Sequence, residues 1–450
     1  MEGADVTKYS KQSDVVNGWK HKGEFLEKIV SRQLAMNQEA FQTYLSVEKK
    51  ITDVIMANER KCLFNYHDIL EMTEESMSKV LGDAYRSVDK YQIRARMPSP
   101  PYLFVSRILN VNASYGRFEA GSSIEAEYDI SDSCILKVSR RTVSSVVLSE
   151  AAHIGIFLAG YMGIDAYSSG QAKFRITDVS TRYVSEQWPQ INDTIRMKFV
   201  IDRLIRGENM TLLFCSFKVY LENELIIEAK ETGGFFRQET LNMGAGIQAT
   251  KHTVLHSSKA IYDDIYAPVT KKYTFNKAEV FEFLRGNYVD CFGAEVANSN
   301  MHYCVTPEAM FIEDIVELSE TGGEYNLGYA IAKINIDENF WPFKCHFKND
   351  PVLPGTIMLE GLNQTITFFQ TCMGLYNTKK PFKTQMKTGY NVKTKFRGEV
   401  KPGHHTLQYR IDPKLVQKKG SDILFITEGK VYCDGLQVIE QNDVAMIIKQ

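Results

Sequence analysis

The chain has 450 residues, of which 44% are apolar and 24% charged, with a formal net charge of −2. These values fit an ordinary globular protein of two or three domains and give no electrostatic reason to expect nucleic acid or an anionic membrane as a partner. There is no run of about 18 apolar residues and no apolar core near the N-terminus, so the expectation is a cytoplasmic protein without a membrane span.

Residues 1–20 are polar. In residues 22–60, Phe25, Leu26, Ile29, Leu34, Phe41, Tyr44, Leu45, Ile51 and Ile55 recur at near-helical spacing among charges. This predicts an amphipathic helix, which either packs on its own domain or docks another protein. The eight cysteines are scattered without a CxxC pair. They read as reduced core residues rather than a disulfide frame or a zinc site.

From Phe64 onward the chain repeats. FNYHDILEMTEESMSKVLG at 64–82 aligns without a gap on FNKAEVFEFLRGNYVDCFG at 275–293, and the match continues with Phe104 on Phe311, Ile108 on Ile315 and Phe118 on Tyr325. A period this long excludes a solenoid and implies two copies of one domain. Each copy predicts the same order of elements. A short helix comes first (66–81; 277–292), then an alternating strand pair (102–130; 309–337). A central helix follows (about 143–163; 354–374), then several long alternating strands with one buried face. One helix against an antiparallel sheet is α+β layering. The expected boundaries are an N-terminal extension over 1–62, copies over 63–240 and 272–450, and a linker over 241–271. GAGIQA in that linker lacks the strand and spacing of a dinucleotide loop.

The second copy contains WPFKCHFKNDPVLPGTIMLEGLNQ at 341–364. Pro354 suits the first position of a helix, and that helix is apolar enough to be buried. His346 precedes it. Glu360 lies inside it, fourteen residues after the histidine, and a buried glutamate needs a partner or a task. In the first copy the matching stretch has no histidine; the position falls near Arg140. The DPV-P-G run is absent there, but a carboxylate survives as Glu150.

The string HFKNDPVLPG followed by Glu360 resembles the active-site segment of the hot-dog-fold 3-hydroxyacyl-ACP dehydratases. The likeness is to the 3-hydroxydecanoyl-ACP dehydratase branch and to the dehydratase domains of polyunsaturated fatty acid and polyketide synthases. The resemblance covers about residues 64–450. It implies a double hot-dog, each copy a curved antiparallel sheet around its central helix. It also implies a lyase that removes water from a 3-hydroxyacyl thioester to give a trans-2-enoyl product, in fatty acid or polyketide biosynthesis. The substrate would ride on the phosphopantetheine of an acyl carrier protein, with no metal or other cofactor. In the family's paired arrangement the histidine of one copy works with the acid of the other. His346 should therefore face Glu150 across an internal pseudo-dimer, with the backbone N–H of Gly355 receiving the thioester oxygen and Glu360 facing a degenerate site. If the pairing differs, Glu360 is the working acid.

Plainer readings stand beside these. Glu150 and His153, three residues apart on a helix, can pair structurally. They also form half of a diiron E-x-x-H motif, without an evident second half. His302, His404 and His405 read as strand or turn residues. The basic run at 379–401 is a solvated face or, through Lys393, Lys395 and Arg397, a contact to the phosphopantetheine phosphate or an acidic carrier protein. The N-terminal helix could meet other synthase components, and the chain could pair further as a homodimer. The rival functions are a non-catalytic acyl- or carrier-binding scaffold, a thioesterase and an enoyl-CoA hydratase.

Overall fold

A computed structural model describes residues 62–244, 246–248, 266–296, 302–376 and 383–449. Residues 1–61 of the expected extension and most of the expected linker lie outside them. From Cys62 onward the chain forms one compact unit.

In the first copy, helix α1 (Tyr66–Glu74) precedes strands β1 (Arg107–Asn112) and β2 (Ser123–Asp129). The central segment is α2 (Ser145–Ser149), a 3₁₀ turn (Glu150–His153) and α3 (Ile154–Tyr161). Strands β3 (Ala172–Tyr183), β4 (Thr194–Arg206), β5 (Met210–Leu221) and β6 (Glu224–Arg237) complete the copy, and β7 (Ile247–Gln248) follows. The second copy runs α4 (Lys277–Arg285), β8 (Asp314–Ser319), β9 (Tyr329–Asn335), α5 (Gly355–Cys372), β10 (Lys383–Met386), β11 (Asn391–Phe396), β12 (Thr406–Lys419), β13 (Asp422–Cys433) and β14 (Leu436–Lys449).

The repeat is visible in its smallest parts. Asn65 caps α1 in a capping box with Asp68, and Asn276 caps α4 in the same way with Glu279. Phe64 bridges to Ile108, and Phe275 to Ile315. The strands join into one 14-stranded sheet; twelve follow the order β1-β2-β4-β5-β6-β3-β11-β14-β13-β12-β9-β8, and β7 and β10 pair with β14 off that path. The second half of that order reverses the first, so the copies meet at β3–β11. There the antiparallel register runs from Asn391↔Arg182 to Lys395↔Asp178. In each half the sheet packs on the central helix: α3 on β2 and β4, α5 on β9, β12 and β13. The fold is an α+β double hot-dog.

Several local expectations need correction. The short helix of each copy breaks in two, at 75–76 and at 286–287, where Gly286 takes a positive φ of 88°. The central helix of the first copy is not continuous; its middle tightens to 3₁₀ at Glu150–His153. The expected linker carries structure: Ile247–Gln248 pairs with β14, and the backbone N–H groups of Ala267 and Val269 bond the end of α5. All eight cysteines are free. Among the described residues no helix is long and apolar enough to cross a membrane.

Candidate active site

A single helical turn, Pro342–Cys345, ends at His346. The following loop folds back, with the Val352 N–H donating to the His346 carbonyl at 2.8 Å and the Leu353 N–H to the Val400 carbonyl at 2.8 Å. His346 Nδ1 lies 2.8 Å from the Val352 carbonyl oxygen. A carbonyl can only accept, so Nδ1 carries the proton and Nε2 keeps a free lone pair. Burial, and then the neighbouring His153, push the His346 pKa well below the ordinary value of 6.5. The ring is therefore neutral over a wider pH range than a free imidazole.

Pro354 is the N-cap of α5 and Gly355 its first residue, one place later than the sequence suggests. The glycine has a packing reason: a Cβ there would run into the Phe396 ring. The unpaired N–H groups of this helix terminus point out of its first turn.

Glu150 is 2% exposed. One carboxylate oxygen accepts from Tyr102 Oη at 3.0 Å and from the Thr356 hydroxyl; the other meets His153 Nδ1. The Glu150–His153 pair read from their spacing is therefore present, and it sits beside His346. The two imidazole rings are 5.4 Å apart, and Tyr102 meets His346 edge-on at 6.1 Å.

One cavity of about 280 Å³ is lined by His346, Gly355 and Thr356 of the second copy and by Glu150 and His153 of the first. Glu360 lines a different cavity, of about 500 Å³. Its carboxylate accepts from Ser144 Oγ and, at 3.4 Å, from Gln364 Nε2, while burial raises its pKa. Arg140, the position expected to match the histidine, is exposed and absent from that lining.

Of the three basic residues expected to bind substrate, only Arg397 lines the first cavity. Lys393 and Lys395 are exposed, because strand alternation turns them to the other face while Val392 and Thr394 point inward. Among the described residues, His404, Cys433 and Asp434 bring possible ligand atoms within 4.8 Å of one another. His404 Nδ1 and both Asp434 oxygens are already engaged with backbone groups, and the set is not part of the cavity lining.

Three residues at the site escaped the sequence reading. Tyr102 left no signal beyond a tyrosine before the first strand. Arg175 pairs with Asp350 of the DPV-P-G run, with Nη1 2.7 Å from Oδ2. Glu231 was legible: along β6 it follows Ile227 and Ala229 at inward positions. It lines the cavity, and burial, then Glu150, raise its pKa to about 8.

A family model described as the FabA-like domain matches residues 306–442. A polyunsaturated fatty acid synthase polypeptide of Thraustochytrium sp. is 27% identical over 362 residues, covering 79% of this chain and 24% of the relative. The chain thus spans about a quarter of that relative's length. Among solved structures, an oleoyl thioesterase from Lactobacillus plantarum has a TM-score of 0.40 at 10% identity, covering 73% of this chain and 97% of the other. The dehydratase domain of RzxB from Pseudomonas fluorescens has a TM-score of 0.37 at 10% identity, covering 72% and 94%. With residues 306–442 matching the FabA-like domain, the chain resembles the hot-dog-fold 3-hydroxyacyl-ACP dehydratases.

Proposed function

We propose that this protein is a 3-hydroxyacyl-[acyl-carrier-protein] dehydratase of a fatty acid or polyketide pathway. The reading is carried by one observation: His346, Glu150 and the start of α5 line a single cavity built from both copies. His346 Nε2, with its lone pair free, takes the α-proton of the thioester. Charge then moves to the thioester oxygen, which the N–H at Gly355 stabilises at the positive end of α5. The carboxylic acid of Glu150 gives its proton to the departing β-hydroxyl, which leaves as water. The proton later returns from His346 to Glu150, restoring the starting state. Each acid–base step contributes about 10²–10⁴-fold. The carrier protein presents the substrate on its phosphopantetheine arm, and no step calls on a metal or redox group.

The test is mass spectrometry of a 3-hydroxyacyl carrier protein incubated with wild type, His346→Ala and Glu150→Gln. Loss of one water by wild type, and by neither variant, is the expected result. Turnover that survives Glu150→Gln overturns Glu150 as the acid, and its loss in Glu360→Gln would then give Glu360 that role. Release of free carrier thiol instead of water identifies a thioesterase. Carrier binding with no change in mass identifies a scaffold.

A further inference from the structure

The two cavities share a wall. Ser145, Asn363 and Met386 line both. The first cavity follows the inner face of β3 from Phe174 and Arg175, near His346, to Tyr183. The eight residue steps of strand from Arg175 to Tyr183 span roughly 26 Å. At the far end Tyr183 stacks on Trp188, a wall residue of the second cavity, with ring centroids 5.9 Å apart. The junction between them is soft. Met386 is only half-buried, and its unbranched side chain changes rotamer easily. Asn363 reaches Ser145 Oγ at 3.4 Å, a weak contact that can be given up.

The second cavity has no histidine at the position that matches His346; the histidine that does line it, His302, is exposed. The cavity's carboxyl is also turned away from use: Glu360 is occupied by Ser144 Oγ and, at 3.4–3.5 Å, by Gln364 Nε2 and Asn363 Nδ2. Val143, Trp188, Leu221, Met386 and Met446 give it apolar wall.

We propose that the cavity around Glu360 receives the distal end of the acyl chain whose thioester lies at His346, so that the protein selects long-chain 3-hydroxyacyl substrates. This rests on the dehydratase reading for the first cavity. A second copy that no longer needs its own substrate becomes depth for the first. Each methylene that passes Met386 into apolar wall improves kcat/KM about fourfold.

The experiment compares 3-hydroxyacyl-pantetheines of six to twenty carbons with wild type, Met386→Trp and Met386→Ala. The expected result is a wild-type kcat/KM that climbs with chain length. Met386→Trp lowers the ratio of long-chain to short-chain kcat/KM at least tenfold, and Met386→Ala keeps or raises it. A Met386→Trp ratio equal to that of wild type overturns the proposal, as does a uniform loss at every length. A second measurement does not depend on turnover: binding of a fluorescent sixteen-carbon acyl-pantetheine that lacks the 3-hydroxyl. Weaker binding by Met386→Trp than by wild type supports the channel, and equal binding overturns it. If wild type dehydrates no chain length, the dehydratase reading fails, and the binding measurement still decides the channel.

Discussion

Arg175 of the first copy grips Asp350 of the second with two parallel hydrogen bonds, Nη1 to Oδ2 at 2.7 Å and Nη2 to Oδ1 at 3.0 Å. Lys173 adds a third contact to Oδ1 at 3.0 Å, and Arg175 Nε reaches Glu399 at 2.6 Å. The aspartate of the DPV-P-G run is thus a strut that ties the His346 loop to the seam strand of the other copy.

Removing one partner of such a buried pair leaves a charge stranded, at about 3–5 kcal/mol. Arg175→Met should therefore destabilise the protein by roughly that much and lower kcat/KM about tenfold or more through a loosened His346 loop. In Arg175→Met/Asp350→Asn the stability loss should be smaller than the sum of the two single changes, read by urea melts. Burial pushes the Asp350 pKa up, but Arg175 and Lys173 outweigh it and hold it below 3.8. Its stabilisation is therefore complete above the ordinary aspartate range and is lost as pH falls through the depressed value.

The low pKa of His346 predicts the acid side of the pH profile. A base titrating well below 6.5 stays deprotonated in mild acid. The acidic limb of kcat/KM assigned to this group should fall below pH 6.5. A limb at or above that value would show that the imidazole is not shielded as its burial implies.

Tyr102→Phe removes one hydroxyl from the Glu150 carboxylate while keeping the ring against His346. A hydrogen bond to the carboxylate that forms as Glu150 gives up its proton is worth about 1.5–3 kcal/mol. Steady-state kinetics should show kcat falling about tenfold or more with KM little changed.

Gly355→Ala sets a Cβ against the Phe396 ring at the helix start. Overpacking of this kind costs about 1–3 kcal/mol, and the displaced N–H should lower kcat about 10²-fold. Trimming the ring in Gly355→Ala/Phe396→Leu should restore most of the melting temperature, which separates crowding from a general folding defect.

Glu231 is a buried carboxyl whose pKa is raised to about 8. Between the ordinary glutamate value near 4.5 and pH 8, the folded state holds a proton that the unfolded chain has lost. Stability therefore falls as pH rises through that window, by up to ~1.4 kcal/mol per unit. Glu231→Gln should flatten this slope in thermal melts from pH 5 to 8.5 and be the more stable form at the alkaline end.

Local chemistry and spacing were enough to read the duplication and the α+β layering, while the hot-dog and the candidate roles of His346, Gly355 and Glu360 came from the resemblance that their string carries. The spacing also showed that the first copy kept Glu150 while losing its histidine. Period-two alternation and helix caps act over a few residues and survive in the bare chain. The same alternation, applied strictly, would have turned Lys393 and Lys395 outward and Glu231 inward. Three things could not be read locally: which acid shares a cavity with His346, that Arg175 braces Asp350, and that two cavities share Ser145, Asn363 and Met386. Each depends on contacts between residues some 170 to 240 positions apart, which exist only once β3 pairs with β11. The pairing of two seam strands, decided by packing across the whole unit, is what brings His346 and Glu150 to one cavity.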